Sequence, residues 1–204
     1  MTDENHSHRE KMKALKAEHQ AKMSEKTVRE KGLIIVHTGD GKGKSSSAFG
    51  MIMRAIAHGM PCGVVQFIKG NWVTGEKTFL RAHFEKECRF VVSGEGFTWD
   101  TQDRERDIAA ARHGWDVAKE MIRDPDMKLV VLDEINIALR YDYLPIAEVV
   151  DFLTTEKPPM THVVLTGRDA KPELLAIADL VTEMTEVKHP FRDQGVVAQR
   201  GVEF

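Results

Sequence analysis

Thr38-Gly39-Asp40-Gly41-Lys42-Gly43-Lys44-Ser45 sets three glycines, two lysines and a terminal hydroxyl within eight residues. Glycines at this spacing let the backbone curl so that several N–H groups face one point, which is how loops hold anions. A lysine at the end of such a loop reaches phosphate oxygens, and the hydroxyl beside it completes a magnesium shell. The chemistry expected is therefore the binding of a nucleoside triphosphate. Thr38 stands where the standard Walker A pattern has glycine, so the loop is a variant. A plain glycine-rich turn is the competing reading; the apolar run before the loop and the helical pattern after it weigh against that. A dinucleotide fingerprint would need a third glycine at the position of Lys44.

Leu129-Val130-Val131-Leu132 runs into Asp133-Glu134. In phosphate-loop proteins a carboxylate at the end of such a strand joins the magnesium shell, although a carboxylate pair there also serves as a helix cap. Successive strand side chains point to opposite faces, so only one of the two is expected to meet the metal directly. Thr166-Gly167-Arg168 closes another apolar run; Arg168 is placed to contact phosphate or to pair with Asp169. Lys69, after Gln66-Phe67-Ile68, is a further anion contact or solvated surface, and Arg54 on the first helix serves either role. The polar, glycine-rich stretch from Gly94 to Gln102 carries two large aromatics, Phe97 and Trp99. Such aromatics either pack on their own domain or wall a large flat ligand. His37, His58, His83, His113, His162 and His189 lack metal-ligand spacing, and no nucleophile elbow is present. Reactivity on such a scaffold has to come from the substrates.

These residues need a frame, and from Gly32 onward short apolar runs alternate with helical patterns, the signature of a parallel sheet covered on both faces. Strands are predicted at Leu33–His37, Gly63–Ile68, Arg89–Val92, Leu129–Leu132, His162–Thr166 and Leu180–Glu183, with one more edge strand around Val196 and Val197. Helices are predicted at Ser45–His58, Gly75–His83, Arg104–Arg123, Ile146–Thr155 and Glu173–Ala178. Residues 32–204 thus read as one α/β nucleotide-binding domain, a size and a 42% hydrophobic content that support a substantial core. Residues 1–31 are rich in Lys, Glu, His, Gln and Ala with few apolar positions. That stripe is too thin to hold a helix alone, so the segment is either frayed or ordered by a substrate or a second subunit. A net charge of -3 marks no nucleic-acid or membrane partner. Cys62 and Cys88 lie outside any Cys-x-x-Cys spacing and read as buried thiols of a cytoplasmic protein. The N-terminus is charged rather than signal-like, and no apolar run approaches the length of a membrane span.

Taken in order, residues 38–45, Val65-Gln66-Phe67-Ile68-Lys69-Gly70, Gly96-Phe97-Thr98-Trp99, Leu132-Asp133-Glu134, Tyr141-Asp142-Tyr143-Leu144-Pro145 and Thr166-Gly167-Arg168 resemble the ATP:corrinoid adenosyltransferases of the phosphate-loop type. Thr38 in place of the first Walker glycine is shared by that family. The resemblance implies a P-loop NTPase-like, recombinase-like α/β fold. It implies that Co(I) of a reduced corrinoid attacks C5′ of an ATP lying reversed in the loop, with triphosphate as the leaving group. Gly39, Asp40, Gly41, Lys42, Gly43, Lys44, Ser45 and Ser46 would hold the triphosphate with Arg168, and Ser45 and Glu134 would bind Mg2+. Phe97 and Trp99 would displace the lower axial ligand of Co(II), so that a flavoprotein reductant can deliver Co(I). The N-terminal segment would cap the corrinoid site of the other subunit of a homodimer. Serine at 45 keeps the hydroxyl of the family's usual threonine, whereas Asp40, where the family often has asparagine, adds a negative charge. The alternatives are a P-loop ATP hydrolase or small-molecule kinase, which yields ADP; a nucleotide-dependent nucleic-acid-binding module, which wants a basic face; and a corrinoid carrier without turnover.

Overall fold

The computed structural model describes residues 3–24, 30–68, 73–93 and 103–203. They fall into two compact units, Met1–Glu30 and Lys31–Phe204. The first contains helix α1 (Asp3–Ser24), whose side chains from residue 5 onward are all exposed. Its visible support is local: Lys13 pairs with Glu10 at 2.9 Å and Lys22 with Glu18 at 2.6 Å. Exposed pairs at this spacing add only a few tenths of a kcal/mol each.

The second unit is built on a sheet of six parallel strands: β1 (Ile34–Thr38), β2 (Cys62–Gln66), β3 (Cys88–Val92), β4 (Leu129–Asp133), β5 (His162–Thr166) and β6 (Leu180–Glu183). Their order across the sheet is β3-β2-β4-β5-β1-β6. Parallel neighbours require crossovers, and eight-residue or longer helices supply most of them: α2 (Lys44–Ala57), α3 (Gly75–His83), α4 (Arg104–Arg123) and α6 (Ile146–Thr155). Short helices α5 (Ile135–Arg140) and α7 (Pro172–Ile177) lie in the connections after β4 and β5, and α8 (Pro190–Gln194) follows β6.

The central strands are apolar along their middles because both faces are covered, and side-chain alternation sorts them into two cores. Ile35, Val64, Val131 and Val164 pack with Ala48, Phe49 and Ile52 of α2 and Leu80 of α3. On the other face Val36, Val65, Leu132 and Leu165 pack with Trp115 and Met121 of α4, Leu139 of α5 and Phe152 of α6. Trp115 is 1% exposed and satisfies its indole N–H by donating to Glu148 Oε1 at 2.8 Å.

The six main strands predicted from sequence are present with small boundary shifts; β2 begins at Cys62 and stops at Gln66 instead of running from Gly63 to Ile68. The expected extra edge strand is absent among the described residues. Pro190 starts a helical turn that Gly195 ends at φ 68°, and the chain beyond it buries nothing, with Val197 67% exposed. Beyond it the backbone closes a turn, with Val202 N and Glu203 N both donating to Gln199 O, in place of a strand ladder. Helices α5 and α8 went unpredicted because each is little more than one turn long.

Candidate active site

Strands β1, β5 and β4 lie side by side, and their carboxyl ends bring the glycine-lysine loop, Thr166-Gly167-Arg168 and Asp133-Glu134 to one edge. Ligands of open α/β sheets bind at this edge. One strand, β5, separates the loop strand from the acidic strand.

The loop leaves β1 at Thr38 and enters α2 through Gly43, which sits at φ 109° as the residue preceding the helix. It is backed by the segment after β6: Gly41 N donates to Met184 O at 2.6 Å, and Met184 N donates to Thr38 O at 2.9 Å. A Cβ at Gly41 would lie 2.7 Å from both the Met184 and Thr185 carbonyl oxygens, so this close approach admits only glycine. Thr38, the departure from Walker A, uses its hydroxyl to accept from Ala170 N at 3.0 Å. That bond and Gly167 N donating to His37 O at 3.2 Å dock the Arg168 turn onto the loop.

Lys44 opens α2 and is 8% exposed, with Nζ donating to the carbonyls of Gly39 and Gly41, each at 2.6 Å. Burial pulls its pKa below the ordinary lysine value; Glu134 and Asp40 oppose that shift, while Arg168 and Lys42 add to it. These five charges therefore share one small region. Lys42 pairs with Glu203 near the C-terminus. Arg168 donates from Nη2 to Asp40 O at 3.3 Å and has Nε 3.6 Å from Asp40 Oδ1. Asp169 instead pairs with Arg140 at 2.7 Å, so Arg168 faces the loop rather than its neighbour.

The two strand-end acids have separate environments. Asp133 is fully buried, its Oδ1 accepting from Thr166 Oγ1 and its Oδ2 from Gln66 Nε2, both at 2.8 Å. Glu134 is partly exposed and adopts φ 63°, a left-handed conformation that costs a non-glycine residue about 1–3 kcal/mol. Its N–H donates to Thr166 Oγ1 at 3.0 Å, and its Oε2 lies 3.2 Å from where a Cβ on Gly167 would be. Asn136 Nδ2 donates to Gly167 O at 3.0 Å and fixes the opposite side of that turn. The Glu134 carboxylate and the Ser45 hydroxyl are hard oxygen donors flanking Lys44, the donor chemistry that suits Mg2+ bridging to phosphate.

Ser46 is exposed and lines an apolar cavity of about 380 Å3 with Phe49, Met53, Phe79 and Leu80, between α2 and α3. Arg54 is exposed in the last turn of α2. The Tyr141-Asp142-Tyr143-Leu144-Pro145 motif is scaffold: Tyr143 and Leu144 are buried, and the Tyr143 hydroxyl donates to Asp107 Oδ2 at 3.3 Å. His37 is buried beside the Lys44 carbonyl, and burial lowers its pKa, so it is neutral at pH 7. Among the described residues no cluster of three or more His, Cys, Asp or Glu side chains could hold a metal. Lys69, Phe97 and Trp99 lie outside the described residues. Gln66, Thr166 and Met184 were missed from sequence; the one available signal was that Gln66 and Thr166 are polar residues ending otherwise apolar strands.

A model of the family ATP:corrinoid adenosyltransferase BtuR/CobO/CobP matches residues 30–204. A corrinoid adenosyltransferase from Sinorhizobium sp. is 62% identical over 97% of this chain and 91% of its own length. One from Pseudomonas aeruginosa is 53% identical over 97% of this chain and 95% of its own length. One from Escherichia coli K12 is 49% identical over 86% of this chain and 87% of its own length. No helix among the described residues is long and apolar enough to cross a membrane. The chain belongs to the ATP:corrinoid adenosyltransferase family, enzymes that transfer the adenosyl group of ATP to a corrinoid.

Proposed function

We propose that this chain holds the triphosphate of ATP along Gly39–Ser46 and presents C5′ to the cobalt of a reduced corrinoid. Co(I) supplies the electron pair that forms the Co–C5′ bond, the C5′–O bond breaks, and its electrons leave with triphosphate. The observation that carries this reading is the convergence of Lys44, Lys42 and Arg168 on a glycine loop. Charge developing on the leaving triphosphate is met by these cations and by the backbone N–H groups at the start of α2.

Each cation has an internal partner, Gly39 and Gly41 carbonyls for Lys44, Glu203 for Lys42 and Asp40 for Arg168. Triphosphate binding exchanges those contacts for phosphate oxygens. Of the two acids, Asp133 has both oxygens committed inside the protein, so Glu134 is the metal-binding candidate, together with Ser45. Mg2+ bound there would neutralise phosphate charge and help fix its orientation. Phe97 and Trp99 act on the corrinoid by displacing its lower axial ligand, and a flavoprotein provides the reducing electron. The working form is a cytoplasmic homodimer in which residues 1–31 order over the corrinoid.

Phosphorus NMR of an anaerobic mixture of the chain, ATP, Mg2+ and reduced corrinoid tests the site of cleavage. Triphosphate is expected, and Lys44→Ala lowers its rate at least about 100-fold. ADP as the product would favour the hydrolase or kinase reading. Phe97→Ala and Trp99→Ala are expected to slow turnover from Co(II) more than from chemically prereduced Co(I). Equal losses from both starting states would remove the axial-ligand role.

A further inference from the structure

We infer that Thr166 is the positioning residue that aims the Glu134 carboxylate at the phosphate loop. The inference rests on the proposed metal role of Glu134. Thr166 ends β5, the strand lying between the loop strand β1 and the acidic strand β4. Its hydroxyl has one proton and lone pairs. The proton goes to Asp133 Oδ1 at 2.8 Å, and the oxygen accepts the Glu134 N–H at 3.0 Å. With that single proton spent on Asp133, the hydroxyl oxygen meets the peptide N–H of Glu134 as an acceptor. Asp133 is in turn held by Gln66 Nε2 at 2.8 Å from the neighbouring strand β2.

The chain Gln66–Asp133–Thr166–Glu134 thus ties β2, β4 and β5 together at their carboxyl ends. It holds Glu134 at φ 63°, a conformation that a glutamate does not choose alone. On the far side, Gly167 leaves room for Glu134 Oε2, which lies 3.2 Å from the position of a Cβ there. Thr166 and Gly167 therefore constrain the same residue from two directions, one by holding its backbone and one by leaving space for its carboxylate. The three side chains of the network, Gln66, Asp133 and Thr166, are all fully buried, so none of them meets the substrate; Thr166 acts through Glu134.

Mn2+ serves as a paramagnetic probe of the site, read by EPR titration of the full chain with inorganic triphosphate and no corrinoid. Thr166→Val removes the hydroxyl and keeps the shape. It is expected to weaken Mn2+ binding about 10-fold or more, as loss of an outer-shell partner typically does. Triphosphate affinity measured in EDTA should stay near that of the unmodified chain, and Thr166→Ser should restore Mn2+ binding. If Thr166→Val does not fold, Thr166→Ser and Thr166→Ala, which differ by the hydroxyl alone, carry the same comparison. Wild-type Mn2+ affinity in the hydroxyl-free variant, alongside weakened binding in Glu134→Gln, would overturn the positioning role and leave the metal role standing. Unchanged affinity in Glu134→Gln as well would overturn both.

Discussion

Asp40 is the residue at which this loop's electrostatics are most finely balanced. Its carboxylate belongs to the loop assigned to a polyanion, yet it is also the partner of Arg168. Replacing it with asparagine removes a repulsive charge while the Arg168 bond to the Asp40 backbone carbonyl remains possible. At roughly 4 Å in a water-exposed setting, one charge is worth about 1 kcal/mol. Asp40→Asn is therefore expected to tighten inorganic triphosphate binding about fivefold by calorimetry. An unchanged or weaker affinity would mean that the carboxylate orders Arg168 more than it repels phosphate. The loop between β1 and α2 was legible in sequence because glycine and lysine at fixed spacing report a backbone shape directly. The division of labour between Asp133 and Glu134 was not, because it depends on Thr166 and Gln66, which reach them from strands 33 and 67 residues away.

The elements were legible where a long apolar periodicity marked them, as in α4, and illegible where the helix is too short to show one, as in α5 and α8. Edge strand β6 illustrates how tertiary contacts secure an element that periodicity only outlines, since all four of its residues are exposed. Asp179, just before it, accepts from Ile34 N at 2.9 Å and pairs with Lys31 at 2.5 Å, anchoring β6 to the start of β1. Burial pushes the Asp179 carboxyl up, but Lys31 and the Ile34 N–H outweigh it and hold it below the usual aspartate value. A carboxylate whose folded pKa is depressed stabilises the fold above its unfolded pKa, and that contribution is lost as pH falls through the folded one. Asp179→Asn is therefore expected to unfold at lower urea than the unmodified chain at pH 7, with the gap closing under acidic conditions. A gap that stays constant with pH would show that hydrogen bonding alone, and not ionisation, anchors the strand.

Across the whole molecule, one parallel sheet sets its glycine-lysine loop, acidic pair and basic turn at a single edge, in a chain whose family transfers the adenosyl group of ATP to a corrinoid. The doubly covered sheet could be read from alternating apolar runs, whereas the Arg168 turn's docking through Thr38 could not, because a threonine in place of a Walker glycine shows its partner only in three dimensions. In the proposed reaction the chain supplies binding and charge, and the reactivity is the cobalt's. That claim is tested most directly by the absorption spectrum of cob(I)alamin, reduced chemically under anaerobic conditions and mixed with the full chain, ATP and Mg2+. The Co(I) bands are expected to give way to those of adenosylcobalamin only when both ATP and the protein are present. Persistence of the Co(I) spectrum while ATP is consumed would contradict that claim.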